Sequence, residues 1–193
     1  MYEALINYIN AHIEIPLNEG EVDLIKNIFV PRKIRKRQYF LQEGEVCKYM
    51  GFIVKGAMRQ YSRDDKGIEH VVQLYLENWW AGDRESFTML TPSIYNIEAW
   101  EDTDVLTLTQ AVMTELDKIP AFNILARKLD EKHSFAYLKR INNSISLPVE
   151  QRYAELGKNY PEFLQRFPQH IIASYLGVAK ETLSRVRAQA IRK

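Results

Sequence analysis

Three textures of apolar and polar positions follow one another along this chain. Residues 2–12 and 18–29 repeat their apolar positions at helical spacing, with Val22, Ile25 and Phe29 on one stripe. Asn18 stands where a side-chain cap would start the second of these helices, and Pro31 stops it. From Arg32 to about Thr109 the period shortens. The segments KIRKRQYFLQ, YMGFIV, AMRQYSR, IEHVVQLYL and DVLTLT are short and rich in β-branched and aromatic residues. Glu43-Gly44-Glu45, Lys55-Gly56 and Asp64-Asp65-Lys66-Gly67 separate them, the last with hairpin-turn chemistry. Strands this short and this regularly punctuated predict a compact antiparallel barrel or roll.

After Gln110 the pattern is helical to the end. VMTELDKI predicts a short helix closed by Pro120, followed by twenty-five residues, AFNILARKLDEKHSFAYLKRINNSI, without Gly or Pro. Phe122, Leu125 and Leu129 start an apolar stripe that can continue through Ala136, with Tyr137, Ile141 and Ile145 on an adjacent one. A helix this long either pairs with a partner helix as a two-stranded coiled coil or packs along its own roll. Pro148 opens a further helix, PVEQRYAELGKN, and Pro161 and Pro168 punctuate two more short pieces. The pattern therefore predicts an α+β chain. A β-roll spans 1–120, a long helix and linker span 121–145, and an all-α unit spans 146–193.

Composition narrows the class. The chain has 193 residues, 46% of them hydrophobic and 26% charged, as in a globular protein with a real core. No apolar run is long enough to span a bilayer, and the N-terminus lacks the pattern of a signal peptide, so a cytoplasmic protein without membrane contact is expected. Cys47 stands alone, which excludes an internal disulfide. Charge is uneven: from Lys139 onward ten Lys/Arg oppose four Asp/Glu, a net +6, which leaves about −5 on residues 1–138 of a chain whose total is +1. A basic C-terminal third suits a polyanion, although a solvated basic face would look the same.

The window IASYLGVAKETLSRV, residues 172–186, separates these readings. Two helices joined by a tight turn need apolar faces that close on each other, a small residue at their crossing and a left-handed residue in the turn. Ile172 and Leu176 line one face, Ala173 is small, Gly177 supplies the turn, and Val178, Leu183 and Val186 close the pair. On the second helix, about 180–191, Leu183, Val186 and Ala190 face inward and Glu181, Ser184, Arg185, Ala188 and Arg192 face outward. An Arg fork matches the O6/N7 edge of guanine, and a carboxylate can accept from cytosine N4. Lys180, Arg187 and Lys193 flank this face, placed for phosphates. Glu181 and Arg185 are also four apart, so a plain surface ion pair is the other reading.

The same window resembles the recognition motif of the cyclic-AMP receptor protein and fumarate–nitrate regulator (Crp/Fnr) family of transcription factors. The resemblance maps the family's DNA-reading set onto Lys180, Glu181, Thr182 and Arg185. Gln169, His170, Ser184, Arg187 and Arg192 complete the expected DNA-contacting residues. LQEGEVCKYMGFIVKGAMRQYSRDDKGIEHVVQLY resembles the first half of the family's cyclic-nucleotide-binding roll, and the long helix after Pro120 sits where the family has its dimerisation helix. The likeness covers about residues 20–190. It implies a jelly roll, a homodimer, double-stranded DNA and RNA polymerase as partners, and no enzymatic activity.

Three departures matter. The family's phosphate-binding segment corresponds to AGDRESFTMLTPSIYNIEAW, where Glu85 keeps the acidic place but Tyr95-Asn96 stand where Arg-Ser would be. An anion in such a pocket needs a cation or converging N–H groups, so cyclic AMP is not the expected effector and no cofactor is assigned. Arg84 or Arg59 could supply a substitute charge, and Trp79, Trp80 and Trp100 could line an apolar pocket for another ligand beside Ser86. Cys47 cannot hold an iron–sulfur cluster alone, and His12, His70, His133 and His170 lack metal-ligand spacing. Finally, Lys193 lies only a turn or so past the motif, so a wing is not expected, and Arg166 and His170 would share the phosphate contacts. Ala179 occupies the capping place of the recognition helix. The competing functions are a metal-dependent enzyme on a cupin-like barrel, which His70 alone in the β region disfavours, and a sensor whose helix–turn–helix docks a protein.

Overall fold

The computed structural model describes residues 1–191, with side chains through Gln189. Helices α1 (Tyr2–Asn10) and α2 (Glu19–Ile28) come first. Asn18 caps α2 by accepting the Glu21 N–H at 2.9 Å, and the Glu21 carboxylate accepts the Asn18 N–H in return at 2.9 Å, a reciprocal box that fixes where this helix begins. Six strands follow, β1 (Val30–Ile34), β2 (Tyr39–Leu41), β3 (Tyr49–Lys55), β4 (Met58–Arg63), β5 (Glu69–Tyr75) and the two-residue β6 (Trp80–Ala81). Helix α3 (Arg84–Met89) precedes β7 (Asn96–Ala99) and β8 (Thr103–Thr109). The rest is helical, with α4 (Met113–Leu116), α5 (Pro120–Ser146), α6 (Val149–Asn159), α7 (Pro161–Arg166), α8 (Gln169–Tyr175) and α9 (Lys180–Ile191).

Two antiparallel four-stranded sheets, ordered β1-β8-β3-β6 and β2-β7-β4-β5, face each other as a jelly roll. Tight turns at glycines make the corners. Gly56 between β3 and β4 has φ 102°, and a Cβ there would fall 2.7 Å from the Asp102 carbonyl oxygen, so neither the conformation nor the space admits a side chain. The Asp64–Gly67 turn closes the β4–β5 hairpin as its sequence predicts, with the Asp64 carboxylate accepting the Lys66 and Ile68 N–H groups, both at 2.9 Å. The pattern did not reveal β6, α3 or β7. These elements are short, and α3 depends on Asp83, whose carboxylate accepts the Glu85 and Ser86 N–H groups.

Two apolar clusters hold the molecule together. The first fills the space between the sheets and under α1, α2 and the start of α5, and includes Phe52, Met58, Ile97, Leu106, Phe122 and Leu125. The second lies on the outer face of the β2-β7-β4-β5 sheet. There Tyr61, Val71, Leu74 and Trp100 pack against Phe163, Phe167, Ile171 and Ala173 of the C-terminal helices. Both faces of this sheet are therefore dry. That is why β4 reads buried at Met58, Arg59, Gln60 and Tyr61 in succession, where a sheet with one wet face would alternate.

Helix α5, about 40 Å long at 1.5 Å per residue, divides its surface along its length. Phe122 and Leu125 are buried and Leu129 packs on the first cluster, as the stripe predicts, but Ala136 is exposed, although Arg140 one turn further on still donates to the Val72 carbonyl of β5. In this half of the helix Phe135, Tyr137, Leu138, Ile141 and Ile145 stand in solvent, Ile145 at 81% exposure. No helix among the described residues is long and apolar enough to cross a membrane.

Candidate nucleic-acid interface

The turn between α8 and α9 has the geometry its residues call for. Gly177 takes φ 67°, the Val178 N–H donates to the Ala173 carbonyl at 3.0 Å, and the Gly177 N–H donates to Ser174 at 2.9 Å. This pair of bonds ends α8 and reverses the chain in a left-handed step. Ile172, Ala173, Leu176, Leu183 and Val186 are all buried, so the two helices close on each other. Two arginines pin the turn from outside: Arg152 of α6 donates to the Leu176 carbonyl at 2.7 Å, and Arg140 of α5 to Tyr175 at 3.0 Å.

What remains outside is the second helix's polar face. Lys180, Glu181, Ser184, Arg185, Arg187, Ala188 and Gln189 are exposed, and Thr182 is half-buried. Arg185 donates to the Thr182 hydroxyl at 3.4 Å, so its fork is poised along the helix toward Thr182 rather than engaged with Glu181. Arg187 borders a small hollow of about 50 Å³ with Tyr153, Leu164 and Gln169. Gln169 is half-buried there, its side-chain nitrogen without a partner. His170 is exposed, its ring edge-on to Trp100 at 6.4 Å. Partial burial and the nearby Arg59, Lys180 and Arg37 cations push the His170 imidazole below its usual range. Arg192 and Lys193 lie outside the described residues.

Arg166 is not free for phosphate. Its guanidinium is held between Glu77, at 2.5 Å, and Glu101, at 2.7 Å, both on the roll. The bridge is mutual. Burial raises the Glu77 carboxyl, but the Arg166 bond and the Gly56 N–H outweigh it and hold the group below its ordinary range.

The residues expected around a ligand separate into four places. Arg59 points away from the roll interior, because the period of two sets it opposite Met58. It lies under the C-terminal helices, bonded to Glu98 at 2.7 Å and Glu69 at 2.5 Å and stacked on Tyr61. Trp79 packs edge-on against Tyr160 at 5.6 Å, and Trp100 donates to the Arg166 carbonyl at 3.1 Å, both in the second cluster. Trp80 turns the other way, onto Phe52 at 5.3 Å and Phe29 at 6.0 Å. Trp80 thus faces the roll core while Trp79 and Trp100 meet the C-terminal helices, so the three do not line one pocket. Arg84 reaches out to the Asp130 carboxylate on α5.

Only Glu85, Ser86, Tyr95 and Asn96 remain near one another, around residues the sequence did not single out. Asp83 accepts the Ser93 hydroxyl at 2.6 Å, Ser86 accepts the Cys47 N–H at 2.8 Å and donates to the Thr91 carbonyl at 2.6 Å, and Asn96 exchanges two bonds with Glu43. Tyr75 donates to Gln60 nearby. The signal for Asp83 was its place one residue before a helix, the position of a cap. A recess of about 350 Å³ is lined by Phe40, Leu41, Glu45, Val46, Lys48 and Tyr49, and none of the expected ligand residues borders it.

Comparison with known proteins agrees with both halves of this architecture. Residues 31–118 match the cyclic nucleotide-binding domain. The chain is 25% identical to the Anaerobic regulatory protein of Aggregatibacter actinomycetemcomitans, over 90% of this chain and 72% of that one. It is 24% identical to the Fumarate and nitrate reduction regulatory protein of Vibrio cholerae, over 90% and 74%. FixK2 from Bradyrhizobium japonicum has the same fold, with a TM-score of 0.70, 20% identity and 84% of each chain covered. Over 90% of its length the chain thus resembles regulators of the Crp/Fnr kind.

The family's domain name raises the question of a cyclic nucleotide, and the residues present do not fit one. A cyclic phosphate is an anion, and burying it requires a cation or a cradle of N–H donors. Of the two arginines expected to serve, Arg84 is paired with Asp130 and Arg59 is on the far side of the sheet. The groups that stay near Tyr95 are the carboxylates of Asp83 and Glu85, whose charges help burial raise the Tyr95 phenol above its usual range. The roll is arranged against an anion at that place.

Proposed function

We propose that this chain is a Crp/Fnr regulator that binds DNA as a homodimer, with a sensor roll over 1–120, a pairing helix over 121–145 and a DNA-reading unit over 146–193. One observation carries the reading: a closed helix–turn–helix whose outward face leaves Glu181, Ser184 and Arg185 exposed, with Lys180 and Arg187 at its flanks. Arg185 and Glu181 are suited to base edges, and Lys180 and Arg187 to phosphates. Gln169 and His170 sit on the first helix, the one that crosses the backbone in this kind of motif. The exposed apolar residues of α5 would bury against the same residues of a second copy. Two recognition helices then reach successive major grooves, about 34 Å apart. The output is regulation of transcription in the cytoplasm through RNA polymerase, without a catalytic step, and cyclic AMP leaves DNA affinity unchanged.

Selection of random duplexes at moderate salt, with Arg185→Ala beside the wild type, tests this. The wild type is expected to enrich an inverted repeat and the variant to lose discrimination at one position of each half-site. Enrichment of no sequence by the wild type would remove base reading from the account.

A further inference from the structure

We infer that the β1–β2 turn of the roll, Arg35-Lys36-Arg37, is a second DNA-backbone contact, built next to the helix–turn–helix; the inference rests on the DNA-binding function proposed above. Three consecutive cations project from this turn, and all three residues are exposed. Their backbone is nonetheless held at every residue. Arg35 N–H donates to the Gln38 side chain at 3.0 Å, Lys36 N–H to Asp102 at 2.8 Å, and Arg37 N–H to the Ala99 carbonyl at 2.8 Å. Arg37 also sits at φ 70°, a left-handed conformation that a non-glycine residue keeps only when its surroundings fix it. Exposed cations on a rigid turn lose little backbone freedom on meeting a polyanion.

Position gives the turn its partner. Arg37 stacks over Trp100 at 4.8 Å, and His170, in the first turn of α8, meets the same indole from its edge. The His170 imidazole feels Arg37 and Lys180 together, so the roll's turn, the start of α8 and the start of α9 lie on one side of the molecule. In a helix–turn–helix that side faces the duplex, because the first helix crosses the backbone and the second enters the groove by its N-terminal residues. The carboxylates behind the turn are engaged inward: Glu98 with Arg59, Glu101 and Glu77 with Arg166. Arg37 bonds Glu98 at 3.3 Å while its side chain stays 61% exposed, and the Asp102 carboxylate is engaged by the Lys36 N–H. The side chains of Arg35 and Lys36 have no partner among the described residues. Phosphodiester oxygens, spaced along a strand, supply the partners that the protein does not.

The test is the salt dependence of binding by the full-length dimer carrying Arg35→Ala with Lys36→Ala. The control is Lys26→Ala with Lys118→Ala, which removes the same charge from the α2 and α4 side of the roll. Each phosphate contact contributes about 0.9 to the slope of log K against log salt, so the turn variant, which removes two cations from each of two protomers, should lower the slope by roughly 4 and weaken binding about tenfold or more at 0.1 M salt. Selected and random duplexes should be affected alike, since phosphates carry no sequence. The control should leave the slope unchanged. An unchanged slope in the turn variant overturns the inference, and so does a loss that the control reproduces. Unchanged DNA binding with weaker transcription in a purified system would also overturn it, since the turn would then face a protein. A wild type that binds no duplex at all would instead sink the DNA-binding function itself.

Discussion

At Gly177 the chain takes a backbone conformation that costs any residue with a Cβ about 1–2 kcal/mol, and no atom lies within 4 Å of where that Cβ would be. Gly177→Ala should therefore destabilise the protein by that conformational cost alone, about 1–2 kcal/mol, with no steric addition. Urea unfolding would show it as a lower midpoint at unchanged slope; no shift would mean that the turn can relax into another geometry. This residue was legible in the sequence because its requirement is local. Arg59 was not. Its side of β4 follows from Met58 by alternation, but the Glu98 and Glu69 carboxylates that hold it come from β7 and β5. Which carboxylates face a strand is a property of the sheet.

At the scale of elements, the helices and the longer strands could be read from periodicity, and the pieces between Asn78 and Ala99 could not. β6 has two residues and β7 four, too few for a period to declare itself. α5 was legible in length but not in what covers it. Its first half is dry against the roll, and its second half carries Phe135, Leu138 and Ile145, exposed at 69%, 65% and 81%. With Asn142 these residues make a three-four spacing suited to a two-stranded seam, with one polar position that favours a defined register. Leu138→Glu places a carboxylate in that seam and leaves the roll core untouched. Sedimentation should show a monomer at concentrations where the wild type is a dimer, with DNA affinity lost in parallel. A dimeric variant would move the pairing surface off α5.

At the scale of the whole molecule, the C-terminal helices are docked on the roll. Ser174 of α8 accepts the Val71 N–H at 2.9 Å and donates to the Glu69 carbonyl at 3.0 Å, and Arg166 is locked between Glu77 and Glu101. The Glu77 carboxyl is held below its ordinary range, and so is that of Glu69: burial raises it, but Arg59 and Arg63 outweigh that effect. A depressed carboxyl stabilises the folded state fully above its unfolded value of about 4.3, and the contribution is lost as pH falls through the lower folded value. The docked arrangement should thus loosen only below about pH 4.3. Trp79 and Trp100 lie in the interface, so their fluorescence should change there before far-UV dichroism reports unfolding. Simultaneous loss of both signals would mean that roll and helices melt as one unit. Glu77→Gln should abolish an early fluorescence step.

The sequence by itself determined the order of elements, the turn at Gly177, the paired helices and their basic outer face. Each of these follows from residues within a few positions of one another, through periodicity, capping and backbone sterics. Only the tertiary structure decided where the charges of the roll point. Arg59 and Arg166 were candidates for anions and are bound instead to carboxylates 10 to 89 residues away in the chain. Arg84 is spent on a helix 46 residues on. Cations are matched to carboxylates by packing, and packing joins strands and helices that no local pattern relates. The same packing covered the outer face of a sheet that alternation alone leaves wet, and so set the C-terminal helices against the roll.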